Sequence, residues 1–294
     1  MKTQSNIQRL KAKLDEADAV IIGAGAGLST SAGFLYSGTR FEKYFSDFEE
    51  KFGFHDMYTG GFYPFPDIET FWAYWSRAIW VNRYMSIPNS TYSDLLNLIK
   101  DKDYFVITTN VDHCFQKTGF EKSRLYYMQG DYGLFQCSTA CHNKTYDNKE
   151  TVVNMLKSQG FYINPEMDLV PRETYIKTKI VTDLIPKCSV CGRPMTTNLR
   201  IDDKFIEDEG WHKANARYAN FVEQHKDNEV LLLELGIGFN TPGIIKYPFW
   251  KFAKTHKNWT YACINVGQAY VPDTIMENSI CIDADIDEVI QQLL

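Results

Sequence analysis

The chain has 294 residues, 44% of them apolar, and a formal net charge of −6. That is enough for one large domain or two small ones with a sizeable core, and the acidic balance, with no Lys/Arg run, excludes the concentrated basic face of a nucleic-acid binder. No apolar stretch approaches the ~20 residues of a membrane span, and the polar start MKTQSNIQRLKAKLDEA carries no signal-peptide apolar region, so the expectation is a cytoplasmic protein with neither membrane nor nucleic acid as partner.

Residues 5–17 place Ile7, Leu10 and Leu14 on one face and predict an amphipathic helix. The next stretch, VIIGAGAGLSTSAGF (Val20 to Phe34), runs from β-branched residues into glycines and small hydroxyls. It predicts a strand over 18–23, a tight turn and a helix, an arrangement suited to a phosphate. The dinucleotide fingerprint fails, because Leu28 or Thr30 stands where the third glycine is required, and no Lys-Ser/Thr follows for a P-loop. Residues 41–86 are crowded with aromatics, among them Phe41, Tyr44, Phe45, Phe48, Trp72, Tyr74, Trp75 and Trp80. They read as a helical insertion whose rings pack a core, with a substrate channel as the sharper alternative.

Apolar runs at 104–109, 125–128, 229–235, 261–266 and 280–283 predict buried strands, and 90–100, 211–226, 245–256 and 285–294 predict helices. Strands alternating with helices imply an α/β fold: a Rossmann-like parallel sheet with helices on both faces, here with a small zinc-binding module and a helical insertion. Ligands in such sheets bind at the carboxyl ends of the strands. Those ends carry GAGAGLS, TTNVD (108–112), MQGD (128–131), LGIGFN (235–240) and INVG (264–267).

Four of the seven cysteines form two short-spaced pairs, Cys137/Cys141 in CSTAC and Cys188/Cys191 in CSVC. Two such pairs can supply four thiolates to a tetrahedral, structural Zn²⁺. His142 is an alternative ligand to Cys141. The remaining Cys114, Cys263 and Cys281 read as core. The expected boundaries are 1–40, 87–134 and 201–294 for the main domain, 41–86 for the insertion and 135–200 for the zinc module.

Read from Gly25, the order G-A-G-L-S-x-x-x-G, TTNVD, MQG, two cysteine pairs, LGIGFN and INVG resembles the sirtuins over nearly the whole chain. These are NAD-consuming deacylases and ADP-ribosyltransferases. The resemblance implies that the main domain binds NAD as co-substrate and that Zn²⁺ is structural. It implies a binding role for Gly25, Ala26, Gly27, Ser29, Phe34, Arg40, Thr109, Asn110, Asp112, Gln129, Gly236, Ile237, Gly238, Asn240, Asn265, Val266 and Asp285. Asp285 also reads as the cap of the last helix.

The departures from the family pattern matter as much. Where sirtuins continue G-I-P-D-F-R, this chain has GFLYSGTRF, with Arg40 standing in at a shifted place. The glutamine of T-Q-N-I-D is replaced in TTNVD. The family's catalytic histidine falls on Gln129, in YYMQGDYG. A histidine with pKa near ~6.5 takes a proton from a ribose hydroxyl, a step deacylation requires. Glutamine does not titrate. Nicotinamide departure needs only dipoles around a developing positive charge, which Asn110, Asp112 and Gln129 supply as the catalytic set. His113 is a rival base.

This set of departures resembles the macrodomain-linked sirtuins of microbial pathogens. That subgroup implies protein ADP-ribosylation of a lipoylated carrier related to the glycine-cleavage H protein, a macrodomain hydrolase as functional partner, and a link to oxidative stress. The competing expectations are a weak NAD-dependent lysine deacylase and a non-catalytic NAD sensor.

Overall fold

A computed structural model describes residues 2–172 and 175–294. In chain order, α1 (Lys2–Glu16) leads into β1 (Ala19–Ala24) and α2 (Ala26–Ser31). Three helices follow, α3 (Thr39–Phe52), α4 (Met57–Gly61) and α5 (Ile68–Ile79), the last continued by a π-helical turn, Trp80–Tyr84. Then come α6 (Thr91–Ile99), β2 (Asp103–Thr108), α7 (Cys114–Thr118), β3 (Leu125–Tyr127), β4 (Gly130–Cys137), β5 (Tyr146–Asp147) and α8 (Lys149–Gln159). The chain ends with β6 (Phe161–Ile163), β7 (Leu169–Pro171), β8 (Met195–Leu199), α9 (Glu209–Gln224), β9 (Val230–Leu235), α10 (Lys246–Thr255), β10 (Trp259–Ile264), β11 (Ser279–Ile282) and α11 (Ile286–Leu293). No described helix is long and apolar enough to cross a membrane.

The chain divides into two compact units: residues 1–33, 88–129 and 209–294, and residues 34–87 and 130–208. The first unit is built on a six-stranded sheet in the order β11-β10-β9-β1-β2-β3, parallel throughout. Parallel strands covered on both faces read as continuous apolar runs rather than alternating ones, and AVIIGA and VLLLEL are buried at every position. One face packs on α9 and α10 through Phe105, Tyr126, Phe221, Ile245, Phe249 and Trp259. On α11, Asp285 caps the first turn, accepting from Asp287 and Glu288 N–H. That helix packs against α1, α2 and α6. The strand expected over 261–266 begins two residues earlier. Trp259 is buried, whereas Val266 is 66% exposed and belongs to the loop.

The register fixes where a ligand can sit. Ala24 pairs with Thr108 on one side and Leu235 on the other, and Leu235 pairs with Ile264. Four strands therefore end level. The chain leaves β1 towards β2 and β3 on one side, then returns to β9 and β10 on the other. The crevice at this reversal, outside the strands' carboxyl ends, is the binding position of open α/β sheets.

In the second unit, the aromatic stripe is a core. Phe41, Tyr44, Phe45, Phe48, Trp72, Tyr74, Trp75 and Trp80 are all buried. Segments 41–86 and 135–200 pack on each other within this unit: Trp72 meets Phe135 edge-on at 4.8 Å, and α5 lies against α8. Buried Arg77 joins them, donating to both Asp47 oxygens and to Gln159 Oε1. Residues 135–200 hold more regular structure than their sequence suggests, with a three-stranded antiparallel sheet, β5-β4-β8, a hairpin, β6-β7, and α8. β5, β6 and β7 are very short and β4 and β8 mix polar with apolar residues, so no apolar run marks them.

Candidate active site

In the first unit, β1 hands over to α2 through Gly25, and the glycines there meet backbone. Gly27 N–H donates to Gly236 O (2.9 Å) and Gly25 N–H to Leu235 O (3.0 Å). A Cβ on Gly27 would stand 2.6 Å from Gly236 Cα; one on Gly236, whose φ is +65°, would stand 2.5 Å from Gly27 Cα. Only glycine lets two strand-end turns approach so closely. The G-A-G spacing thus serves the contact between the β1 and β9 turns, which explains why neither nucleotide fingerprint fits it.

Beside these turns lies a polar knot. Asn110 Nδ2 donates to Gly25 O (2.9 Å) and Ser29 Oγ (3.0 Å). Ser29 Oγ in turn donates to Asp112 Oδ2 (2.5 Å) and meets Tyr92 OH at 3.0 Å. Asp112 Oδ1 accepts from Cys114 N–H (2.9 Å). Ser29, Asp112 and Tyr92 are all buried, so Asp112 is held by hydrogen bonds on both oxygens. Burial first, then the charge of Asp112, pushes the Tyr92 hydroxyl far above its usual range, leaving it neutral. The adjoining His113 occupies the left-handed region at φ +65°. Strain of this kind in a non-glycine residue often marks a working segment.

Thr109 N–H donates to Ala24 O (3.1 Å), seating the TTNVD turn on β1. Gln129 lies just beyond β3, half-buried, where the chain passes from one unit to the other. Met128 beside it is fixed through its backbone, with N–H on Thr108 O (2.9 Å) and O accepting from Trp211 Nε1 (3.1 Å). At the far side of β1, Asn265 Nδ2 donates to Ile237 O (3.0 Å). The β10 loop is thereby tied to the β9 turn. Gly238 and Val266 border these loops, and Asn240 is exposed. Asp285, besides capping α11, accepts from Ser31 Oγ (2.8 Å), linking the end of α2 to α11.

The structure therefore brings Gly25, Ala26, Gly27, Ser29, Thr109, Asn110, Asp112, Gly236, Ile237, Gly238, Asn265 and Val266 to one end of one sheet, with Gln129 at its β3 corner. Phe34 and Arg40 belong to the second unit. There they lie together, the guanidinium 5.0 Å over the Phe34 ring. Arg40 donates to Asn82 Oδ1 (2.8 Å) and Leu35 O (3.0 Å), and also to Val81 O. It thus braces the π-helical turn. Tyr92 has no counterpart among the residues singled out from sequence; one tyrosine in a helix opening TYSDLL gives no sign of its role. Glu234 is likewise absent from that set, although a carboxylate inside the buried strand VLLLEL is a legible signal.

The two cysteine pairs converge in the second unit. All four sulfurs lie within 4.8 Å of one another, with Cys137–Cys191 and Cys141–Cys188 both at 3.6 Å. Four thiolates about 2.3 Å from one tetrahedral Zn²⁺ have edges near ~3.8 Å. Backbone N–H groups of Cys191 and Val190 donate to Cys188 and lower its pKa to about 7. At Cys137 burial opposes the charge, yet hydrogen bonds from Thr139 and the Cys141 backbone bring it down to about 5. Cys141 is pushed up by desolvation and then by the sulfurs around it. Such a set favours a dication that neutralises all four, and the donors fit zinc. His142 Nε2 stands 3.4 Å from Cys188 Sγ, at the rim of a complete four-sulfur set.

No protein-family profile matches the chain. Solved structures superpose along its length. Sir2 with a p53 peptide and NAD+ gives a TM-score of 0.55 at 16% identity, covering 98% of this chain and 96% of that one. A Sir2 enzyme studied for mechanism and regulation gives 0.57 at 17%, covering 99% and 96%. The fold is that of the sirtuins. A Staphylococcus aureus protein named protein ADP-ribosyltransferase is 37% identical over 287 residues, 97% of this chain and 86% of that protein. The chain belongs to this family of protein ADP-ribosyltransferases. A Fusarium oxysporum f. sp. cubense protein named probable bifunctional ADP-ribose hydrolase/ADP-ribosyltransferase is 30% identical over 254 residues, 83% of this chain and 40% of that longer protein.

Proposed function

We propose that this protein cleaves the nicotinamide–ribose bond of NAD and transfers ADP-ribose to a lipoylated carrier protein related to the glycine-cleavage H protein, in the cytoplasm. The observation that carries the reading is Gln129, half-buried at the β3 corner, on which the sequence resemblance puts the sirtuin base. Its amide presents a dipole and cannot accept a proton from a ribose hydroxyl. Positive charge develops on the ribose as nicotinamide leaves, and fixed dipoles that need not reorganise stabilise it. Asn110, locked against Gly25 and Ser29, and Asp112, locked by Ser29 and Cys114, are groups of that kind. We assign them and Gln129 the catalytic role, with the β9 and β10 loops receiving the rest of NAD. The Fusarium relative's name pairs a hydrolase with a transferase. This supports an ADP-ribosyl hydrolase as the partner that removes the mark, which the sequence resemblance makes a macrodomain protein.

The test is intact mass spectrometry of one mixture holding the protein, NAD, a lipoylated carrier and an acetyl-lysine peptide. The expected product is a carrier heavier by one ADP-ribose beside an unchanged peptide. A deacetylated peptide with an unmodified carrier would refute the reading and point to His113 or water as base. NAD binding without nicotinamide release would make the protein a sensor.

A further inference from the structure

Beneath the β9 turn, the first unit buries an ion pair that the proposed chemistry does not use. Glu234 of β9 and Lys246 of α10 are both 0% exposed, with Lys246 Nζ 2.5 Å from Glu234 Oε1. Tyr261 OH donates to Glu234 Oε2 (2.6 Å), and Cys263 Sγ lies 3.4 Å from Oε1. A pair buried this deeply repays little of its own desolvation, and apolar replacements of such pairs are often neutral or stabilising. Its value must lie in geometry.

The ammonium also lies 4.9 Å from the centroid of the Phe239 ring and 5.9 Å from that of Trp250. Phe239 belongs to LGIGFN, the turn whose Gly236 lies against Gly27. Its ring stacks on Tyr270 of the β10 loop, with centroids 4.6 Å apart and planes 5° apart. Its N–H donates to Gln268 Oε1 (3.2 Å) in that loop. One buried cation thus grips, through a single ring, both loops that follow β9 and β10.

We infer that Lys246 is a positioning residue for the nucleotide: paired with Glu234 and seated under Phe239, it latches residues 236–240 in the form that receives NAD. The inference rests on the proposed site and adds the group that sets its affinity. A latch of this kind acts on binding and leaves the bond-breaking step alone, so its loss raises KM at constant kcat.

The experiment compares the parent with Lys246→Met/Glu234→Gln and with Phe239→Leu, by thermal melting, calorimetric NAD titration and steady-state nicotinamide release. The double variant removes both charges, while Gln still accepts from Tyr261. Phe239→Leu keeps the ion pair and removes the ring it grips. Both are expected to melt near the parent, keep kcat within about twofold, and bind NAD about 10-fold more weakly, the size of one cation–π contact. Parent affinity in either folded variant would overturn the inference. So would a joint fall of kcat and melting temperature, which would mark a purely structural pair. If the double variant does not fold, Phe239→Leu decides alone. A parent that binds no NAD would refute the site itself, and the latch with it.

Discussion

Asn110 joins three elements with one amide: its Nδ2 reaches the Gly25 carbonyl after β1, Ser29 on α2, and its own backbone follows β2. Removing it has two separable consequences. Losing two partly buried hydrogen bonds costs about 1–3 kcal/mol, a few degrees of melting temperature in a chain this size. In the proposed role, losing an oriented dipole at the reacting ribose costs on the order of 10²-fold in rate. Asn110→Ala is therefore expected to melt slightly early and to release nicotinamide at least about 100-fold more slowly. Carrier labelling at the parent rate by a slightly less stable Asn110→Ala would show that Asn110 only braces the turn. The place of Asn110 and Asp112 at the sheet's carboxyl end was legible because polar residues directly after a buried strand fall there; the role proposed for them comes from the resemblance of TTNVD to the sirtuin pattern. Their buried partner Tyr92 was not, since the knot exists only once α6 is folded beside α2 and α7.

At the scale of elements, the β1 and β9 turns work as a pair, and their glycines are the device. A Cβ at Gly27 would meet Gly236 backbone at 2.6 Å, with no flexible side chain to yield. Gly243, in the same β9–α10 connection, has nothing within 4 Å of where a Cβ would go. Gly27→Ala should thus lose about 1–3 kcal/mol through overpacking and its NAD affinity, whereas Gly243→Ala should match the parent in both melting and calorimetric titration. Equal NAD affinity in Gly27→Ala and the parent would mean the turn tolerates separation and is not part of the site. The same scale shows what a sequence displays and what it hides. β1, β2, β9 and β11 stand out because they are largely buried, so each is a mostly apolar run, interrupted in β9 only by Glu234, and is followed by glycine or a polar residue. β5, β6 and β7 are only two or three residues long, while β4 (GDYGLFQC) and β8 (MTTNL) mix polar with apolar residues and pair across a long separation, Gly130 opposite Leu199 and Cys137 opposite Met195. No local pattern announces such a ladder.

For the whole molecule, the contrast between the units is one of what holds them. The first has a continuous sheet core. The second combines an aromatic core with a cysteine knuckle, in which Cys188 N–H bonds Arg193 O (2.8 Å), Gly192 N–H bonds Cys188 O (2.9 Å), and Gly192 turns with φ +73°. Cys137 closes β4 and the knuckle opens into β8, so the four sulfurs pin one end of that sheet. Without a cation, four thiols within 4.8 Å offer each other nothing but weak contacts and, as they ionise, repulsion. A zinc ion held there would contribute its binding free energy to folding. Prolonged chelation should therefore open residues 138–194 to protease, release one zinc per chain, and leave fragments of the six-stranded sheet protected, with only part of the circular dichroism lost. An unchanged cleavage pattern and spectrum after zinc has left would show that the aromatic core, anchored by Arg77, holds the second unit without its knuckle.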